Sequence, residues 1–146
     1  MVPHRVAEDN ANNVLSAITV DGLDHSSLRV VVDTGGGAAA LVLPTVIGRL
    51  GVEVLSVNNW LDEGRPTDTG DDRAKSVTNL AGLVATSRAD FGVRFDPAGE
   101  RLSLIDETGR IVADDRAALI VADLVCAEVH GDVALPVTTT RVAEQV

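Results

Sequence analysis

The sequence predicts an α/β domain of three layers, α/β/α, on a mainly parallel sheet with an antiparallel hairpin at one edge. Short apolar runs rich in valine, leucine and isoleucine alternate with longer segments whose apolar residues recur at helical spacing. Glycine-containing turns separate them. A 45% apolar content over 146 residues is enough for one real core. Strands alternating with helices imply parallel pairing, with helices on both faces of the sheet.

Each element has its own signal. Ala7 to Val20 reads as a helix with Val14, Leu15 and Ile18 on one face. "LRVVVDTGGG" gives a buried strand, Leu28 to Val32, running into a glycine loop. Ala38 to Leu50 is a helix closed by Gly51, where a C-terminal glycine belongs. Val52 to Asn58 is the next strand, and Gly64 to Asp72 is a polar surface loop. That loop opens a helix marked by Val77, Leu80, Ala81 and Val84. Phe91 to Phe95 is a strand, and Leu102 to Ile105 with Arg110 to Val112 reads as a hairpin around "DETG". A long helix follows, capped by Asp114 or Asp115 and stopped by Gly131. Asp132 to Pro136 reads as a strand, and "TTTRVAEQV" as the start of another helix. The order is α-β-α-β-α-β-β-α-β, without internal repeats.

Composition removes several classes of function. Twenty-two acids against twelve bases leave a net charge of −10, which repels nucleic-acid phosphates and anionic lipid. The most apolar run, Ala117 to Val129, is interrupted by Asp123 and Glu128, and the first residues show no apolar signal segment. A soluble, cytoplasmic domain is expected, with no nucleic-acid or membrane partner. The single cysteine, Cys126, lies between apolar neighbours and reads as a buried, inert thiol. His4, His25 and His130 are scattered and receive no role. Trp60 follows a strand on a loop and is expected to be partly exposed, toward a neighbouring domain.

Two loops could carry chemistry. In the first, Gly35, Gly36 and Gly37 link a strand to a helix N-terminus, a place where backbone amides can bind an anion. Gly35, Gly37 and Ala40 fit the G-x-G-x-x-[GA] dinucleotide pattern, but Asn58 and Asn59 stand where its acid is expected. "Val-Asp-Thr-Gly" also matches the triplet of aspartic proteases, whose all-β architecture and second carboxylate this chain lacks. The simpler reading is that the glycines let the helix pack closely on the sheet while Asp33 hydrogen-bonds its own loop. In the second loop, Asp96 and Glu100 could converge on a hard cation. Ala98 between them supplies no side-chain oxygen, and Pro97 fixes φ where glycine would leave the loop free.

Taken together, the loops and their spacing resemble the second domain of the α-D-phosphohexomutases, the phosphoglucomutase and phosphomannomutase superfamily. "LRVVVDTGGGAAALVLPTVIGRLGVEVLSVN" is similar to that domain's first strand, loop and helix. "NLAGLVATSRADFGVRFDPAGERLSLIDETGRIVADDRAALIVADLV" is similar to the stretch holding its magnesium loop, and "GDVALPVTTTRVAEQV" looks like the opening of the third domain. The resemblance implies residues 1–11 as an N-terminal extension, 12–131 as the domain, and 132–146 as the truncated start of the next.

In that family the metal loop reads Asp-Gly-Asp-x-Asp-Arg. The resemblance makes Asp96 the first magnesium ligand and Arg101 the arginine near the transferred phosphate. Glu100 replaces the third aspartate, Ala98 the second and Pro97 the glycine. No phosphoserine loop or sugar-reading loop of the family stands in these residues. The fragment alone is therefore expected to be non-catalytic. It would be an excised structural or regulatory module of a sugar-phosphate or nucleotide-sugar protein, for example one carrying a sugar-1-phosphate nucleotidyltransferase. Neighbouring domains of the parent chain and a sugar phosphate are its expected partners. The alternatives are an active mutase with an altered magnesium site at Asp96 and Glu100, and a nucleotide-binding module on the Gly35 loop. The last predicts that a bulky residue at Gly37 abolishes nucleotide binding without unfolding the domain.

Overall fold

A computed structural model of the chain describes residues 4–18, 27–62, 64, 68–128 and 134. The chain forms two compact units, Met1–Ile111 and Val112–Val146. The first contains α1 (His4–Ala17), β1 (Arg29–Asp33), α2 (Ala39–Arg49), β2 (Glu53–Val57), α3 (Gly70–Ser87), β3 (Phe91–Phe95) and β4 (Leu102–Asp106). The second contains α4 (Asp114–Glu128).

The sheet order is β2-β1-β3-β4. β1 pairs in parallel with β2 and β3, and β3 pairs antiparallel with β4. The chain moves from β1 to β2 in one direction and then crosses back past β1 to β3. Right-handed crossovers therefore put α2 and α3 on opposite faces. The resulting architecture is the expected α/β/α arrangement.

The α3 face carries the core. Val31, Gly92 and Ile105 lie side by side across β1, β3 and β4. Val31 and Ile105 are buried with Leu80, Val84 and Ala89. Leu80 and Val84 come from the helical stripe that the sequence marks. Gly92 is what lets α3 sit so low: a Cβ there would stand 2.5 Å from Val84 Cγ2. Val30 and Val32, pointing to the other face, are also buried, so β1 is covered on both sides, as its unbroken apolar run requires.

The helix ends follow local chemistry. Thr69 caps α3 by accepting from the Asp72 amide at 3.2 Å, and Asp71 and Asp72 lie in the first turn, where negative charge is favourable. Gly51 follows the end of α2 at φ +73°, a left-handed position that glycine reaches without a Cβ clash. α4 begins at Asp114, and the amide of Ala117 donates to Ala113 at 2.9 Å, so Ala113 occupies the cap position expected of Asp114 or Asp115.

Two other expectations are corrected. The antiparallel pair is β3 with β4, around the Asp96 loop, rather than a hairpin around "DETG". After "DETG" the returning chain makes one isolated bridge, Ile105 with Ile111. Cys126 is half-buried instead of buried. On α4, Ile120, Val121, Leu124 and Val125 are all exposed. Trp60 is exposed over 60% of its surface. Apart from Ala134, the expected final strand and helix, with the Gly131 stop, lie outside the described residues, as do Thr19 and Val20 of the first helix.

The glycine loop is locked to the Asp96 loop by backbone. A Cβ on Gly37 would stand 2.1 Å from the Pro97 carbonyl oxygen, and one on Gly35 would stand 2.6 Å from the Phe95 carbonyl oxygen. The glycines thus admit the neighbouring loop at the end of β3 rather than their own helix. Backbone cannot swing aside as a side-chain tip can. Gly37→Ala should therefore cost about 1–3 kcal/mol or more, read as a lower denaturant midpoint. An unchanged midpoint would show that the two loops are not locked.

The "DETG" turn yields a second test. Asp106 Oδ1 accepts from the Thr108 hydroxyl (2.6 Å), the Arg110 amide (2.9 Å) and the Thr108 amide (2.9 Å). The Thr108 hydroxyl and then the Arg110 amide hold this carboxyl below the usual carboxylate range. Because the folded pKa is depressed, the contribution is present at neutral pH and fades as pH falls through that lowered value. A carbon-detected carboxyl titration should place Asp106 below the usual carboxylate range, and Thr108→Ala should move it back up.

Candidate functional site: the polar row at the carboxyl ends of β1 and β3

Two residues beyond the apolar row Val31–Gly92–Ile105, the same sheet face turns polar. Asp33, Arg94 and Ser103 lie side by side across β1, β3 and β4. All three are buried, Asp33 at 2% exposure and Arg94 at 3%. The row sits between β1 and β3, where the order of strands in the sheet reverses. Open α/β sheets bind their ligands outside the carboxyl ends of the strands at such a switch point.

A buried guanidinium needs compensating charge, and Arg94 has it on two sides. Its Nη2 pairs with Asp68 just before α3, and its Nε lies 3.6 Å from Asp33 Oδ2. That second distance is too long for a hydrogen bond, and Nε has no hydrogen-bond partner although it is buried. Asp33 Oδ1 in turn accepts from the Gly35 amide (2.8 Å) and from Asn58 Nδ2 (2.9 Å). Asn58 adopts φ +51° at the end of β2, which brings its side chain and carbonyl onto the glycine loop. Arg73, in the first turn of α3, donates from Nη2 to Ser103 Oγ at 3.1 Å. The expectation that Asp33 bonds its own loop agrees with this geometry.

The glycine loop does not offer its amides to an anion. Gly35 donates to Asp33, Gly36 to the Asn58 carbonyl at 3.2 Å and Gly37 to the Thr34 carbonyl at 3.1 Å. All three glycines are buried. The reason is the lock described above: the face that would receive a phosphate is filled by the chain from Phe95 to Pro97.

The loop expected to hold magnesium is closed by its own hydrogen bonds. The Gly99 amide donates to the Asp96 carbonyl at 2.9 Å, completing a four-residue turn. Aspartate first, proline second and glycine fourth is the residue preference of a type I turn. Asp96 Oδ1 accepts from the amides of Glu100 (2.8 Å) and Arg101 (3.0 Å). The "DETG" turn is built the same way, with Asp106 and Gly109 in the roles of Asp96 and Gly99. Pro97 is buried, while Ala98, Glu100 and Arg101 are exposed.

This donor set does not fit a three-carboxylate cation site. Ala98 supplies no oxygen, one oxygen of Asp96 is committed to the turn, and Glu100 remains as a lone exposed carboxylate. Among the described residues, no three histidine, cysteine or acidic side chains are grouped to hold a metal ion.

Between the Asp96 turn and the first turn of α3 lies an open cavity of about 340 Å³. Arg73, Arg94 and Arg101 line it with Thr69, Gly70 and Ser103, as do the acids Asp68, Asp96 and Glu100. Asp96, Glu100 and Arg101 therefore line one cavity. Arg73, Arg94 and Asp68 escape sequence reasoning. The signal was present for one of them: an arginine at the inward position of "FGVRF", two residues after the inward Gly92, breaks the strand's apolar alternation.

The family model described as phosphoglucomutase/phosphomannomutase, alpha/beta/alpha domain II, matches residues 9–109. A phosphoglucomutase/phosphomannomutase of Thermococcus kodakarensis is 33% identical over 118 residues, covering 81% of this chain and 26% of that protein. A phosphoglucosamine mutase of Caldicellulosiruptor bescii is 35% identical over 107 residues, covering 71% of this chain and 23% of the relative. Among solved structures, a phosphoglucomutase/phosphomannomutase family protein of Burkholderia thailandensis superposes with a TM-score of 0.66 at 24% identity. It covers 84% of this chain and 26% of that one, and it shows the shared fold. The chain thus spans about a quarter of the length of these relatives. With β1, its glycine loop, α3 and the β3–β4 hairpin all inside the matched residues, the chain belongs to the phosphoglucomutase/phosphomannomutase family and carries that family's α/β/α domain II.

Proposed function

We propose that this domain is a catalytically degenerate module of a phosphohexomutase-like protein in sugar-phosphate or nucleotide-sugar metabolism. In this reading it keeps the family's shape and a polar cavity for a sugar phosphate, and it has given up metal-assisted phosphoryl transfer. The observation that carries the reading is the Asp96 carboxylate, which closes its own turn, next to an alanine that cannot ligate. A phosphoryl group in transfer needs its charge offset by a cation held in fixed geometry. Two carboxylates, one already engaged, supply little of that.

The proposed partners are the neighbouring domains of the parent chain. The exposed indole of Trp60 is a suitable contact for one of them. A sugar-1-phosphate nucleotidyltransferase is one parent to which such a module would be attached, in the cytoplasm. No helix among the described residues is long and apolar enough to cross a membrane. A nucleotide site on the Gly35 loop is disfavoured, because those amides are already bonded within the protein.

The rival within the same family is an active mutase whose magnesium rests on the second oxygen of Asp96 and on Glu100. A magnesium titration followed by amide shifts over Asp96 to Arg101 separates the two. The natural chain should show no localised, saturable change at low-millimolar magnesium. A Pro97→Gly, Ala98→Asp double variant, with its third carboxylate restored, should respond. Saturable shifts in the natural chain would favour the active mutase instead.

A further inference from the structure

β2 is the outer strand of the sheet, and among the described residues it pairs only with β1. The Glu53 amide donates to the Leu28 carbonyl at 2.9 Å, and the Val57 carbonyl accepts from the Thr34 amide at 3.2 Å. Glu53 and Val57 therefore face β1, as does Leu55 between them, while Val54 and Ser56 turn their amides and carbonyls outward. Leu55 stands beside Val31 in the sheet. It extends the apolar row Val31–Gly92–Ile105 to the rim, where 44% of it is exposed. Edge strands of soluble proteins guard against pairing with proline, lysine or a bulge. β2 has none of these. Glu53 is the only charged residue from Gly51 to Asn59, in a chain of net charge −10, and Arg29 pairs with it at 2.9 Å.

We propose that two copies of this chain join their sheets by antiparallel pairing of β2 with β2, about a two-fold axis at Leu55. A closed two-fold contact requires each strand to meet itself, and antiparallel strands do so. Centring on Leu55 sets Val54 opposite the partner's Ser56, and these residues exchange hydrogen bonds through their outward groups. The two Leu55 side chains meet at a position without hydrogen bonds, where Cα atoms approach to about 4.5 Å and side chains pack. Each Glu53 falls opposite a Val57. The two Glu53 then lie about 14 Å apart along the strands, beyond the screening length of about 8 Å at physiological salt. The pairing thus brings no like charges together, although both chains are acidic. Strands of five residues make a contact below the about 1,200 Å² of stable interfaces, so the dimer is weak and depends on concentration. No residue of the Asp96 turn takes part, and the proposal stands apart from the function proposed above.

Sedimentation equilibrium of the 146-residue chain from about 10 μM to about 1 mM, the range of weak pairs, should show monomers in exchange with dimers. Hydrogen exchange over the same series should show the Val54 and Ser56 amides gaining protection as dimers form. The Leu55 amide, bonded to β1, should be protected throughout. Ser56→Pro removes one outward donor from each copy and leaves the bonds to β1 in place. It should weaken association about tenfold or more, since two hydrogen bonds vanish by symmetry. Leu55→Lys, at an exposed side chain, should do the same by setting two ammonium groups against each other. A protected Thr34 amide reports that β2 still pairs with β1 in each variant. Leu124→Lys, on the exposed apolar side of α4, should leave association unchanged. Monomers at every concentration would overturn the proposal and leave the edge to a different chain. A dimer that either folded β2 variant leaves intact, or that Leu124→Lys dissolves, would also overturn it.

Discussion

The buried Arg94 guanidinium is the constraint on which the upper half of this domain depends. Removing such a charge from water is costly, and it is tolerated only where opposite charges come with it. Asp33 and Asp68 supply them, one from β1 and one from the segment that leads into α3. The pair Asp33–Arg94 is also a neighbouring pair of the parallel sheet, so charge and backbone register support each other. Losing one partner of a buried ion pair costs about 3–5 kcal/mol, because the survivor is left charged in a dry place. The row therefore fixes where α3 begins relative to the sheet. It also fixes where the cavity opens.

The two loops at the carboxyl edge are consequences of that arrangement. Asp33 faces Arg94 with one oxygen and the Gly35 amide with the other, which draws the glycine loop over the strand ends. The chain leaving β3 then passes directly against Gly35 and Gly37. Its approach is closer than any Cβ would permit. A loop that could have cradled an anion becomes the wall against which another loop rests. The Asp96 turn, supported on that wall, is closed by amides of its own loop.

The loop after β3 carries one aspartate, an alanine and a glutamate within the stretch that the family model matches. A bound cation would draw several carboxylates inward, each giving up water to do so. Here the turn after β3 is closed by the device that also closes the turn after β4, an aspartate accepting amides from its own loop. Ala98 brings no carboxylate into the turn. Proline before it stiffens the turn in the bent form. Positive charge in the neighbourhood comes from arginines that belong to the chain itself.

Much of the fold was legible in the sequence by itself. The apolar stripe Val77, Leu80, Val84 set α3, the unbroken "VVV" set a strand covered on both faces, and Gly51 set the end of α2. These are local signals: periodicity and the special freedom of glycine act over a few residues. The motif order also carried the family, and the missing acid at Ala98 was plain. Tertiary structure alone decided the rest. Nothing local says that Arg94 meets residues 61 and 26 positions away, or that Gly37 faces Pro97. Nor does the sequence show that "DETG" would return only a single bridge while β3 and β4 formed the hairpin. The Arg94 and Gly37 contacts follow from the crossover that places β3 beside β1. Such long-range pairing is invisible to a reading that proceeds a few residues at a time.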